Sequence, residues 1–159
     1  MGAGTRRSVA LKGGDVGTWV AVAVAAIFVW LGMVLAISFL EAPLKFRAPG
    51  ITIALGLGIG RLVFRALNAC EVALAALIVV ALVIGKPGVG VIVATLVAIG
   101  ALLVQLIGVR PCLTRRSDAV LADPSQAEAG RSNAHYVYVV FEVVKVVALL
   151  GGGILLLTA

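Results

Sequence analysis

The chain is organised around the stretch from Ser38 to Glu71, which reads SFLEAPLKFRAPGITIALGLGIGRLVFRALNACE. This stretch begins at the end of one strongly apolar segment and finishes inside the next. Its larger polar side chains are bases, acids and one amide: Lys45, Arg47, Arg61, Arg65, Glu41, Glu71 and Asn68. Charges this close to hydrocarbon are costly unless they are paired, hydrated or functional. The stretch therefore predicts a helical membrane protein with a polar site.

The composition of the 159-residue chain indicates the same class of protein. Apolar residues make up 62% of the chain and charged residues 13%, and the mean hydropathy is +1.19. These values lie outside the range of soluble globular domains. Because a spanning helix needs about 20 mainly apolar residues, the length leaves room for four spans. We predict an all-α polytopic membrane protein with four transmembrane helices in one bundle.

The expected organisation is a basic amino-terminal tail, residues 1–17, followed by one membrane domain over residues 18–159. The predicted spans cover residues 18–40, 62–85, 89–109 and 135–157. A glycine-rich stretch, residues 50–61, lies between the first two spans. The sequence leaves open whether it continues the second helix, re-enters the membrane or lies at the interface. Residues 110–134 are expected to form a polar loop.

The net charge of +6 is compatible with two kinds of partner, nucleic acid and anionic lipid. Basic residues beside apolar runs more often set topology or meet lipid headgroups, so we expect a lipid bilayer as partner and no nucleic acid. Cys70 and Cys112 belong to no CxxC motif, and His135 is the only histidine. Because metal-site spacing is missing from the sequence, we predict no metal and no cofactor.

Two predicted helices each carry a stripe of polar side chains. The second span contributes Arg61, Arg65, Asn68 and Glu71, and the fourth contributes His135, Tyr138, Glu142 and Lys145. Residues three or four apart share one face of a helix. The second and fourth spans of a four-span hairpin run in the same direction. We therefore expect the stripes to meet near one side of the membrane, close to Glu41 at the end of the first span.

Two interpretations of this polar cluster stay open. In the first, the cluster binds or conducts a small polar or anionic solute, as in a transporter or channel, since its cations slightly outnumber its acids. In the second, ion pairs such as Lys145 with Glu71 hold the helices in register. The protein is then a structural or assembly subunit of a membrane complex, with a homo-oligomer or another membrane protein as partner. An enzyme using Glu142 with His135 or Lys145 would lack a cofactor motif, so we predict no catalytic residue.

The segment Glu41-Ala42-Pro43-Leu44-Lys45-Phe46 carries a resemblance to a known group of proteins, and residues 48–52 and 57–64 extend it. The chain resembles a group of small, uncharacterised four-helix bacterial inner-membrane proteins with an E-A-P-x-K-F signature. The resemblance implies a multispan protein of the bacterial inner membrane. It carries no catalytic or binding role onto these positions, because no activity is established for the group.

Basic residues outside the spans predict the orientation. The side with the polar cluster has more of them, including Lys45, Arg47 and Arg115, than the side with the chain termini. Positive residues favour the cytoplasm. We therefore expect the polar cluster to face the cytoplasm, with both termini on the other side.

Overall fold

The computed structural model of the protein describes residues 3–122 and 133–158. Within these ranges it does not describe the side chains of residues 3–15, 113, 116, 117, 120, 121 and 133–135. The described chain is all-α, and no strand occurs in it. This confirms the predicted fold class, a bundle of four membrane-spanning helices.

The helices follow one another with few intervening residues. In order along the chain they are α1 (Ala3–Val34), a π-helical segment (Leu35–Glu41), α2 (Ala42–Lys45), α3 (Ile53–Gly85), α4 (Val89–Val104), a second π-helical segment (Gln105–Val109), α5 (Arg110–Ala122) and α6 (Asn133–Leu157). Four helical stretches are long and apolar enough to cross a membrane: Val16–Lys45, Ile53–Gly85, Val89–Cys112 and Tyr136–Leu157. The chain is therefore a multi-pass integral membrane protein.

The first and third spans run further than the predicted ends at residues 40 and 109. Each continues through a proline, Pro43 or Pro111, and each proline comes shortly after a π-helical segment. A proline ring clashes with the carbonyl four residues before it and offers no amide hydrogen. A wider π turn before the proline relieves that conflict and lets the helix continue. The first span therefore does not end at residue 40, as predicted, but continues through Pro43.

The glycine-rich stretch 50–61 is helical from Ile53 onward and continuous with the rest of α3. Thr52 caps this helix, because its hydroxyl oxygen accepts a hydrogen bond from the Leu55 amide at 3.2 Å. Before the cap, Gly50 has a φ of 77°, a left-handed conformation that suits glycine.

The loop predicted over residues 110–134 begins as a helix: residues 110–122 form α5. The remainder of that loop, residues 123–132, lies outside the described residues.

The helices pack around α1 and α6. α1 makes its main contacts with α3 and α6, and α4 lies on the other side of α6. Glycine allows close approach at two points: a Cβ on Gly153 would lie 2.9 Å from the Phe28 ring of α1, and one on Gly152 would lie 3.2 Å from Ala94 of α4. The backbones of α3 and α6 scarcely approach each other. Long polar side chains bridge that gap.

Candidate functional site

Six polar side chains from all four spanning helices are buried inside the bundle. We call this set the polar core; it consists of Trp30, Asn68, Glu71, Gln105, Glu142 and Lys145. Every one of these residues is at most 4% exposed. Helical spacing brings them together, since Asn68 and Glu71 are three apart on α3, and Glu142 and Lys145 are three apart on α6.

Lys145 is the centre of the polar core. Its Nζ lies 2.5 Å from Oε1 of Glu71 and 3.2 Å from Oε1 of Glu142. The first contact crosses from α6 to α3, and the second lies within α6. Lys145 and Glu71 are fully buried, so water screens neither charge. The ammonium therefore links two helices whose backbones do not pack against each other.

Two neutral donors complete the contacts of the carboxylates. The Trp30 indole Nε1 of α1 donates to Glu71 Oε1 at 2.9 Å. The Gln105 amide donates to Glu142 Oε1 at 3.0 Å and to the Tyr138 carbonyl at 3.2 Å. Gln105 is the first residue of the second π-helical segment. The polar core thus ties α1 to α3 and α4 to α6 through hydrogen bonds to charged groups, which are stronger than bonds between neutral groups.

The polar core has more hydrogen-bond acceptor oxygens than donor groups to pair with them. Within the described part of the chain, Glu71 Oε2, Glu142 Oε2 and Gln105 Oε1 are buried without a hydrogen-bond partner. The hydroxyls of Tyr138 and Ser38 are buried close to each other, and Tyr138 is close to Glu142, but neither hydroxyl makes a hydrogen bond of good geometry. Buried polar atoms are normally satisfied, so each of these oxygens calls for a physical explanation.

A second polar site lies toward the α5 end of the bundle. A cavity of about 540 Å³ opens there, lined by four arginines from two helices: Arg61 and Arg65 of α3, and Arg110 and Arg115 of α5. Leu106, Pro111 and Thr114 complete its walls. We call this cavity the arginine recess. Its guanidinium groups are partly or fully exposed, in contrast to the polar core.

One carboxylate accompanies these arginines in the described chain. Asp118 of α5 accepts a hydrogen bond from Arg61 and ties α5 to α3. Both side chains are open to solvent, at 38% and 57% exposure, so the pair is weak and sensitive to salt. No ion pair within the described residues engages Arg65, Arg110 or Arg115. Positive charge therefore exceeds negative charge in the recess.

Glu41 forms a third, separate contact. Its carboxylate lies 3.4 Å from Nζ of Lys45, one helical turn later. Lys45 also lies over the rings of Phe46 and Phe64, with its Nζ 5.6 and 5.4 Å from their centroids. Gly60 makes room for this lysine, because a Cβ there would lie 2.6 Å from Nζ.

The residues predicted to form one cluster therefore lie at different places. Glu71, Glu142 and Lys145 are in direct contact, and Asn68 and Tyr138 are buried with them. Arg61 and Arg65 line the arginine recess, and Glu41 pairs with Lys45. Within the described residues neither Arg61 nor Arg65 forms an ion pair with Glu41 or Glu142, and Arg61 pairs with Asp118 instead. The side chain of His135 lies outside the described residues.

Several residues of these sites were absent from the predicted set. They are Trp30 and Gln105 in the polar core, and Arg110, Arg115 and Asp118 at the recess. Trp30 offered a signal, because an indole N–H in the middle of a span needs an acceptor. Asp118 offered none, since the residues around it were expected to form a loop.

Comparison with known proteins identifies no relative of this chain. The assignment as a four-span integral membrane protein comes from the length and apolar character of its helices. No protein-family model matches the chain, and neither a curated protein nor a solved structure matches it.

Proposed function

We propose that this membrane protein binds a small oxyanion, a carboxylate or phosphate, in the arginine recess. The observation that carries the proposal is the charge of the recess: four guanidinium groups line one cavity, and a single carboxylate in the described chain lies beside them. The net positive charge is available to a ligand, because only Arg61 has an acidic partner there.

The chemistry of arginine supports an oxyanion as the ligand. A guanidinium presents planar pairs of N–H donors that match the oxygens of carboxylate and phosphate groups. Four of them on facing helices surround a ligand without any change of fold. A volume of about 540 Å³ lies within the range of small-molecule sites. Arg65 lies about 9 Å along α3 from Glu71, because it precedes Glu71 by six residues.

The interior below the recess favours binding over free passage. Lys145, Glu71 and Glu142 fill the space between α3 and α6 and are at most 1% exposed. A solute entering the recess would have to break this ion-pair network to move further. We therefore propose a binding site that opens at one end of the bundle, with conduction requiring a second conformation.

The direct test is phosphate binding by the purified protein in nanodiscs of neutral phosphatidylcholine. Isothermal titration with inorganic phosphate should show saturable binding that weakens as sodium chloride is added, because salt screens the exposed arginines. Arg65→Gln should reduce the affinity at least tenfold. The matched control is Arg47→Gln, which removes an exposed arginine that does not line the recess.

Three results would contradict this function. The first is equal phosphate binding by the Arg65→Gln and Arg47→Gln variants, and the second is no binding by the wild type. In the third, the wild type does not bind phosphate but binds phosphatidylglycerol in mixed nanodiscs, and the Arg65→Gln variant does not bind this lipid. That result would assign the recess to a lipid headgroup.

The alternative is a structural or assembly subunit of a membrane complex. The closed network of Lys145 with Glu71 and Glu142 favours it, because such a network holds helices in register without a ligand. This function predicts no phosphate binding by the wild type. It also predicts that Arg65→Gln reduces co-purification of a partner or self-association in mild detergent.

We further propose that the protein belongs to the bacterial inner membrane and that the recess faces the cytoplasm, because basic residues favour that side. The test uses single cysteines in a variant lacking Cys70 and Cys112. An impermeant thiol reagent applied to intact cells should label Lys86→Cys and spare Arg47→Cys. The reverse pattern would invert the orientation.

A further inference from the structure

The polar core contains more acid than base. Its charged side chains are Glu71, Glu142 and Lys145, each at most 1% exposed. With both carboxyls ionised, one ammonium would face two carboxylates, and the core would keep one uncompensated negative charge. Charge isolated from water among apolar helices is strongly unfavourable, and a buried acid commonly neutralises instead.

The surrounding elements supply no further cation to the core from the described chain. The other side chains that contact the two carboxyls are neutral: Trp30 from α1, Gln105 from the second π-helical segment and Tyr138 from α6, with Ser38 of the first π-helical segment beside Tyr138. The next cations along α3 and α5, Arg65 and Arg110, line the arginine recess, and Arg110 acts on Glu71 electrostatically from that half-buried position without an ion pair in the described chain. The imbalance therefore concerns the charges that are fully buried.

The hydrogen bonds of the core are unbalanced in the same direction. Glu71 Oε2, Glu142 Oε2 and Gln105 Oε1 are buried acceptors without a hydrogen bond of good geometry in the described chain, although the Tyr138 hydroxyl lies close to Glu142. An ionised carboxylate is only an acceptor, whereas a protonated one also donates. One added proton would therefore cancel the excess charge and turn one of these unpaired oxygens into a donor.

The two carboxyls differ in how strongly they are held. Glu71 Oε1 accepts from Lys145 at 2.5 Å and from Trp30 at 2.9 Å. Glu142 Oε1 accepts from Lys145 at 3.2 Å and from Gln105 at 3.0 Å. Hydrogen bonds between ionised groups are the shorter ones. The distances make Glu71 the closer partner of Lys145 and Glu142 the less closely held carboxyl.

We propose that the two carboxyls of the polar core, Glu71 and Glu142, form a buried proton-binding pair that holds one proton, and that Glu142, the less closely held of the two, carries it. A proton from solvent adds to Oε2 of Glu142 and forms an O–H bond there, and no other covalent bond changes. The core then contains one ammonium, one carboxylate and one carboxylic acid, and its net charge is zero. This site is independent of anion binding in the recess.

Infrared spectroscopy of the protein in nanodiscs tests this site directly. The wild type at neutral pH should show the C=O stretching band of a protonated carboxylic acid, and the band should shift to lower frequency in deuterium oxide. Glu142→Gln should remove the band. Glu71→Gln should remove it too, because Glu142 then becomes the only counter-ion of Lys145. Lys145→Met should strengthen it, since both carboxyls then protonate.

Glu41→Gln is the control, because Glu41 pairs with Lys45 outside the core and its loss should leave the band unchanged. A second measurement uses the melting temperature. Glu142→Gln mimics the neutral acid and should melt close to the wild type, whereas Glu71→Gln should melt lower.

A wild type without the band would overturn the proposal. So would a band that survives Glu142→Gln, or a melting temperature that falls as far in Glu142→Gln as in Glu71→Gln. A band that disappears when sodium chloride replaces choline chloride would also overturn it, because the core would then be a sodium site.

Discussion

The polar core and the arginine recess lie on the same helices and use the same kinds of side chain, yet their surroundings differ. In the core, Lys145 and Glu71 meet at 2.5 Å with no exposure to water. In the recess, Arg61 and Asp118 meet with more than a third of each side chain exposed. The contrast teaches that burial decides what a charge pair does. A buried pair fixes the fold, whereas an exposed pair leaves its arginine available to a ligand.

The largest expected effect comes from removing the buried cation. Lys145→Met should lower the free energy of unfolding by about 3 to 5 kcal/mol, because the buried carboxylate of Glu71 loses its only cationic partner in the core. Thermal unfolding in detergent, followed by circular dichroism, measures the change. Lys86→Met is the matched control, since Lys86 is exposed in the turn after α3. Similar melting temperatures for the two variants would mean that water reaches the core.

An intermediate effect is expected from the indole that supports Glu71. Trp30→Phe removes the donor to Glu71 Oε1 and should cost about 1 kcal/mol, the scale of hydrogen bonds between membrane helices. The control Trp19→Phe changes an indole near the end of the same span. A double-mutant cycle with Glu71→Gln should show coupling for Trp30 and none for Trp19. Additive effects of Trp30→Phe and Glu71→Gln would exclude the interaction.

The smallest effect on stability is expected in the recess. Asp118→Asn removes the partner of Arg61 and should change the free energy of unfolding by less than about 1 kcal/mol, and by less still at high salt. The same change should strengthen phosphate binding, because it takes a negative charge away from the recess. Unfolding at two salt concentrations and phosphate titration measure the two effects. Weaker phosphate binding would show that Asp118 positions Arg61 for the ligand.

The sequence was most informative where periodicity and burial agree. The long apolar runs predicted four spans, and the three-residue spacings on α3 and α6 predicted that Glu71 would lie near Glu142 and Lys145. These inferences need only helix geometry and the cost of burying charge. The spacing alone could not separate the arginines from the core, because depth along a helix depends on which partners lie beside it.

The ends of the spans could not be predicted from local preferences. Pro43 and Pro111 disfavour a regular α-helix, yet the chain passes through both with π-helical turns. The arginine recess was not predicted because its second helix, α5, was not predicted. Residues 110–122 were expected to form a loop, so Arg110, Arg115 and Asp118 had no predicted position relative to Arg61. Tertiary contacts between α3 and α5 decide that arrangement.

The π-helical segment Gln105–Val109 sets the rotational phase of α5 relative to α4. A π turn takes up one residue more than an α turn. Deleting Gly108, whose position has open space around it, would restore α-helical winding and rotate α5 by about 100°. Arg110 and Arg115 would swing away from α3, while Gln105 and the core beneath it kept their places. Loss of a single residue at this point is therefore expected to disperse the arginine recess and leave the buried core intact.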